Sequence, residues 1–276
     1  MTRRIQVPAL PMSSSLSASH AHFAALSDPG QVREHNEDAL LCNHDLGLWA
    51  VADGMGGHQR GEVASALAVK VLQEEVARGI DLLSAVRSAH AAIIAAAAED
   101  SASRGMGTTL VAVQLHGIGF KLAWVGDSRA YRISAQQVEQ LSCDHSWVQA
   151  MVDAGEMTAQ QARQHPRRNV ITQCLGLPVD EFEPGFVQGQ LQAGEILLLC
   201  SDGLSTELED AEILDLCTQA VTLDGLVSSL VDAAKQHGGK DNISCIVLAP
   251  ALPAEPVSEP RKRGLFGHLF ALRKRA

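Results

Sequence analysis

The sequence has no C-x-x-C pair, no cysteine at the head of a C-x5-R loop and no run of about 18 apolar residues. The missing C-x5-R loop excludes a thiolate phosphatase. The missing apolar run leaves no predicted transmembrane helix. No signal peptide is expected either, because Arg3 and Arg4 are followed by Pro8, Pro11 and a Ser-rich stretch rather than a continuous apolar segment. Nucleotide-binding loops are absent as well. Gly239-Lys240 is followed by Asp241 rather than Ser or Thr, and the glycines after Asp53 lack dinucleotide spacing. Basic charge is scarce: 22 Lys and Arg stand against 32 Asp and Glu, a formal net charge of −10. That balance disfavours nucleic acid as a partner of the body of the protein.

What is present suffices for one large domain. The chain has 276 residues, 46% of them hydrophobic. Cys200 and Cys245 lie inside apolar, strand-like runs, so the six cysteines read as reduced thiols and the compartment as cytoplasmic. Residues 1–20 are polar, Ser-rich and Pro-containing, which predicts a disordered extension. Strands are expected at 48–52, 109–115, 119–125, 130–133, 195–200 and 243–248, with His116-Gly117-Ile118-Gly119 as a hairpin turn. Val63, Leu67, Val71 and Leu72 predict one helical face, and Leu82, Leu83, Val86, Ala89, Ile93 and Ala97 a second, with Gly79 between the helices. Leu223, Leu226, Leu230 and Val231 predict another. Hairpins and paired helices point to an α+β layered domain over 21–250. The stretch 144–176 is short, broken, helical and rich in Gln, Arg and His, and reads as an insertion over the core.

Four Asp residues stand at the ends of apolar runs: Asp53, Asp127, Asp202 and Asp241. A carboxylate at a buried strand end is costly unless a positive charge meets it. Several together are best satisfied by a divalent metal, with the Gly54 carbonyl as a further hard ligand beside Asp53. Two such ions activate water for in-line displacement. Arg33 offers a planar donor fork for phosphate oxygens, and Glu37 and Asp38 offer carboxylates to orient metal-bound water. His58 is the nearest candidate for a general acid; a metal-bound water is the other.

R-x-x-N-E-D, D-G-M-G-G-H-x-x-G-E, G-M-G-T-T, G-D-S-R-A-Y, D-H-S-x-V, H-P-x-R-N-V-I-T, C-S-D-G-L and D-N-I-S occur in this order between about Ala21 and Ala249. The chain thereby resembles the bacterial metal-dependent protein serine/threonine phosphatases of the type 2C class. The resemblance implies a four-layer αββα sandwich, two antiparallel β-sheets flanked by helices. It implies Mn²⁺ or Mg²⁺, with Asp53 bridging two ions, the Gly54 carbonyl on one, Asp202 and Asp241 on the other, and a weaker third ion at Asp127 and Asp202. Arg33 would grip the substrate phosphate, and 144–176 would be the flap beside the cleft. The implied partners are phosphorylated proteins and a cognate Ser/Thr kinase, with the chain acting as a monomer. A catalytically weak, phosphoprotein-binding regulator of the same fold is the alternative.

Residues 251–276 read as a Pro-rich linker followed by a basic amphipathic tail. Leu265, Phe266, Leu269, Phe270 and Leu272 recur at helical spacing between basic triplets. This predicts contact through 261–276 with an anionic membrane surface, at its inner face, or with an acidic partner.

Overall fold

The computed structural model describes residues 21–56, 60–99, 105–177 and 182–250. His58, the extension 1–20 and the tail 251–276 lie outside them, together with the expectations placed there. Two antiparallel sheets form the centre. One contains, in spatial order, β1 (His22–Asp28), β11 (Ile243–Ala249), β10 (Ile196–Cys200), β7 (Arg129–Ile133) and β8 (Val138–Gln140). The other contains β2 (Asp38–Asn43), β3 (Leu48–Met55), β5 (Leu110–His116), β6 (Gly119–Val125) and β9 (Gly185–Gln190), with β4 (Gly107–Thr108) against the end of β3.

Alternation along the central strands builds the layers. Trp49 and Val51 of β3 face the space between the sheets, where Val111, Val113, Leu199 and Ile246 meet them. Leu48, Ala50 and Ala52 of the same strand face outward onto α1 (Arg60–Ala77) and α2 (Leu82–Glu99). On the far side Leu198, Cys200, Cys245 and Val247 pack on α6 (Asp210–Gln219) and α7 (Leu223–Gln236). Burial on both faces explains why these strands read as unbroken apolar runs. The predicted four-layer sandwich is therefore the fold.

By length and composition α2 could cross a membrane. Leu82, Ala85, Val86, Ala89 and Ile93 are instead buried in the core. The face predicted for α1 holds at Leu72, with Leu67 and Val71 packed against the core, and fails at Val63. Its buried residues are Gly61, Ala64, Ser65, Ala68, Leu72 and Val76, and Val63 is 51% exposed. The helix turns its small residues inward because it lies very close to β3. A Cβ on Gly54 would stand 2.1 Å from the Gly61 carbonyl oxygen, a separation no side chain tolerates. Gly54 is thus a strand residue whose missing side chain admits the helix.

Candidate metal centre

Strand direction delivers the acidic residues to one end of the sandwich. β3 and β6 both flank β5 antiparallel, so they run the same way and bring Asp53 and Asp127 to the same end of their sheet. β10 ends where β11 begins, which brings Asp202 beside Asp241. Asp202 is the first residue of the short helix α5 (Asp202–Ser205). Asp38 faces Asp53 directly across the β2–β3 pair.

Hydrogen bonds hold this end rigid. Thr109 N–H and the Thr108 hydroxyl both donate to the Asp53 carbonyl at 2.9 Å, and Asp53 N–H donates to Thr109 Oγ1 at 3.1 Å. Thr109 Oγ1 also lies 2.7 Å from Ser128 Oγ, which ties the Asp53 strand to the Asp127 turn. Asn242 is a buried joint. Its Oδ1 accepts from Glu37 N–H at 2.8 Å, and its Nδ2 donates to the His35 and Pro29 carbonyls. The loop carrying Arg33, Glu37 and Asp38 is thereby fastened to the start of β11. Gly203 lies so close that a Cβ there would meet the Asn242 carbonyl at 2.1 Å. Thr108, Thr109, Ser128, Ser201 and Asn242 were not singled out from sequence. All five stand inside the quoted motifs, yet nothing in composition or spacing gives a lone Thr, Ser or Asn a bracing role.

The carboxylates are crowded by protein yet open to solvent on one side. Burial, then repulsion by Asp38 and Asp202, drives the Asp53 carboxyl well above its ordinary value. Burial also pushes Asp127 up to about 8, with Asp202 adding to the shift. Asp38 is pushed up to about 7, mainly by burial and against a hydrogen bond from the Ser201 hydroxyl at 2.9 Å. Asp202 rises to about 6, again by burial, with Asp241 adding and a hydrogen bond to Asp53 opposing. Among the described residues, no three His, Cys, Asp or Glu side chains stand ready to enclose an ion. The Arg33 guanidinium supplies positive charge at Asp241. Arg33 Nη2 donates to Asp241 Oδ2 at 2.7 Å. Glu37 instead accepts from Gly61 N–H, and burial raises its carboxyl as well.

These residues fit divalent magnesium or manganese. The donors are all hard oxygens. Asp38 Oδ1 is buried without a hydrogen-bond partner, which leaves a lone pair unanswered inside an anionic cluster.

The raised carboxyls set a pH dependence. Between the unfolded value near 4 and about pH 8, the folded metal-free protein holds more protons than the unfolded chain, so its stability falls as pH rises through that window. In chelator, the melting temperature is expected to drop by several degrees between about pH 5 and pH 8, and Mn²⁺ is expected to reverse the drop. A melting temperature flat across this range in chelator would count against the cluster as described.

Beside the cluster runs a cleft of about 700 Å³, lined by Asp127, Asp202, Arg129 and Arg168 among others. Its other wall is the segment 144–176, which carries α3 (Trp147–Asp153) and α4 (Ala159–Gln164). Arg129 anchors the base of that segment through a two-pronged pair with Asp144, at 2.7 to 3.1 Å. Arg163 anchors its tip, donating to the Leu208 carbonyl at 3.0 Å and pairing with Glu209 at 3.3 Å. Arg167 lies over the Trp147 ring.

Comparison with known proteins bears on this geometry. The protein phosphatase 2C family pattern matches residues 31–243. Serine/threonine protein phosphatase PstP of Mycobacterium tuberculosis is 38% identical over 231 residues, covering 82% of this chain, which spans 44% of that relative's length. Protein phosphatase PhpP of Streptococcus pneumoniae is 37% identical over 240 residues, covering 82% of this chain and 96% of the relative. The solved catalytic domain of a serine/threonine protein phosphatase PstP, in complex with two manganese ions, superposes with a TM-score of 0.74 at 36% identity, covering 83% of this chain and 97% of that one.

Proposed function

Because the chain belongs to the protein phosphatase 2C family, we propose that it hydrolyses phosphoserine and phosphothreonine in proteins. The observation that carries this reading is the group of Asp38, Asp53, Asp127, Asp202 and Asp241, gathered at one end of the sandwich and acting electrostatically as one cluster. Asp53, Asp202, Asp241 and the Gly54 carbonyl are assigned two Mn²⁺ or Mg²⁺ ions, and Asp127 with Asp202 a weaker third. The two manganese ions in the PstP catalytic domain support this assignment. When bound, such ions acidify water and neutralise phosphoryl charge.

The chain's own groups do the rest. The raised Asp53 and Asp202 carboxyls would give up protons as the ions bind. Glu37 and Asp38 orient solvent around the cluster. Arg33, largely exposed and paired with Asp241, exchanges that carboxylate for two phosphoryl oxygens of the substrate. His58, four residues beyond Gly54, is assigned the proton of the leaving alkoxide. The segment 144–176 forms the cleft wall along which the substrate chain lies.

The partners in this reading are phosphorylated proteins and a Ser/Thr kinase whose products the enzyme reverses, with the chain acting as a monomer. A cytoplasmic setting is supported by six unpaired thiols. The alternative of a binding-only regulator is not favoured, since every carboxylate the chemistry calls for is in place.

A phosphothreonine peptide supplied with Mn²⁺ is expected to be turned over, and excess chelator to stop it. Arg33→Ala is expected to raise KM for the peptide about tenfold or more, with a smaller fall in kcat. No turnover with any divalent ion would refute the enzyme reading. An unchanged KM would refute the role of Arg33.

A further inference from the structure

A groove of about 720 Å³ lies well away from the acidic cluster, where the junction of α6 and α7 meets the paired ends of β1 and β11. Its surface is apolar and open. Val221 at the junction is 96% exposed, and Phe23 of β1 is 37% exposed. Leu223 and Leu226 form its floor. We propose that this groove is the docking site of the chain's own C-terminal segment, 265–272.

Continuity is the first argument. Ala249, the last residue of β11, lines the groove, and the 26 residues 251–276 follow almost directly. Complementarity of shape and polarity is the second. Leu265, Leu269 and Leu272 fall at i, i+4 and i+7, and Phe266 and Phe270 at i and i+4, which is the anchor spacing of a helix laid in an apolar groove. Charge is the third. Basic triplets 261–263 and 273–275 bracket those anchors. Asp224 lines the groove, and no Lys or Arg does. The acidic partner that the tail's sequence calls for is thus the protein's own surface.

The tether makes weak contact sufficient. Residues 250–264 give ample reach, and a linker this short supplies an effective concentration of about 1 mM. A segment with a Kd of about 0.1 mM in trans is then about nine-tenths docked in cis.

Cys217 provides the readout, because it lines the groove and is half-buried, while Cys42 and Cys143 are exposed elsewhere and serve as internal controls. The full chain is alkylated under native conditions and each thiol is followed by mass spectrometry. The expected result is that Cys217 reacts about tenfold faster in the Phe266→Asp, Phe270→Asp variant than in the parent, with Cys42 and Cys143 unchanged. A chain ending at Pro250 should match the variant, and adding a peptide of residues 261–276 should slow Cys217 again. Equal Cys217 rates in all forms would overturn the proposal. So would equal rates combined with tail-dependent binding to anionic phosphatidylserine vesicles, which would assign the tail to a membrane. Protection that survives removal of 251–276 and vanishes on removal of 1–20 would give the groove to the N-terminal segment. Protection that is lost on dilution would give it to a second copy of the chain.

Discussion

Asp202→Asn is expected to lower turnover of a phosphothreonine peptide by about 10³-fold or more, while raising the melting temperature of the metal-free protein. Both effects come from one position. Asp202 shares a hydrogen bond with Asp53, feels Asp241 most strongly among its charged neighbours, and is the largest charge acting on Asp127. It is assigned both to one catalytic ion and to the weaker third, so neutralising it removes a ligand from each of those two. The same charge is a burden when no cation answers it, because burial raises the carboxyls around it. Asn keeps the shape and the hydrogen bond to Asp53 while removing the repulsion. Each kcal/mol recovered corresponds to about 2–4 °C in a domain of this size. Thermal melts in chelator should therefore rise by several degrees in the variant, and Mn²⁺ should add little to it. Activity close to the parent's would take Asp202 out of the centre.

Gly54→Ala is expected to cost about 4 kcal/mol or more, enough to leave much of the protein unfolded. The new methyl would lie 2.1 Å from the Gly61 carbonyl oxygen and 2.6 Å from that of Glu37. Both obstacles are backbone, so no rotamer change relieves them. Relief requires lifting α1 off β3, which would open the core around Ala64, Ala68 and Leu72. Gly79→Ala is the matched control. Gly79 has φ of 85° and no atom within 4 Å of its notional Cβ, so only backbone strain of about 1 kcal/mol applies. Denaturant unfolding of the two variants separates packing from strain. Equal losses would mean that the close approach of α1 and β3 is dispensable.

Legibility from sequence followed local signals. β3, β5, β6, β10 and β11 are largely buried on both faces and were visible as apolar runs, all but β5 with an Asp at or near one end. β1 was not visible, because Phe23-Ala24-Ala25-Leu26 is a weak strand whose identity depends on pairing with β11, more than 200 residues along the chain. β9 was missed for a related reason: two of its six residues are glycines, over which the Trp124 and Phe120 rings of β6 lie. The inward face of α1 was legible only in part, at Leu67, Val71 and Leu72, because periodicity rewards large apolar residues, whereas closeness to Gly54 selects Ala64 and Ala68 and leaves Val63 outside. At the site, the strand-end Asp residues carried their chemistry in plain view. What stayed hidden was the frame around them. Asn242 bonding to three separate backbone groups, and Thr109 reaching Ser128, are long-range contacts with no periodic trace. Glu37 and Asp38 looked alike in sequence. Strand register separates them, setting Asp38 opposite Asp53 while Glu37 takes the Gly61 N–H.

The central claim is that these carboxylates form a two-ion centre, and calorimetric titration of Mn²⁺ into chelator-stripped protein tests it most directly. The account predicts saturable binding of two ions, with net proton release near pH 7 and loss of both features in Asp202→Asn. Absence of saturable binding, or binding that Asp202→Asn leaves intact, would contradict it.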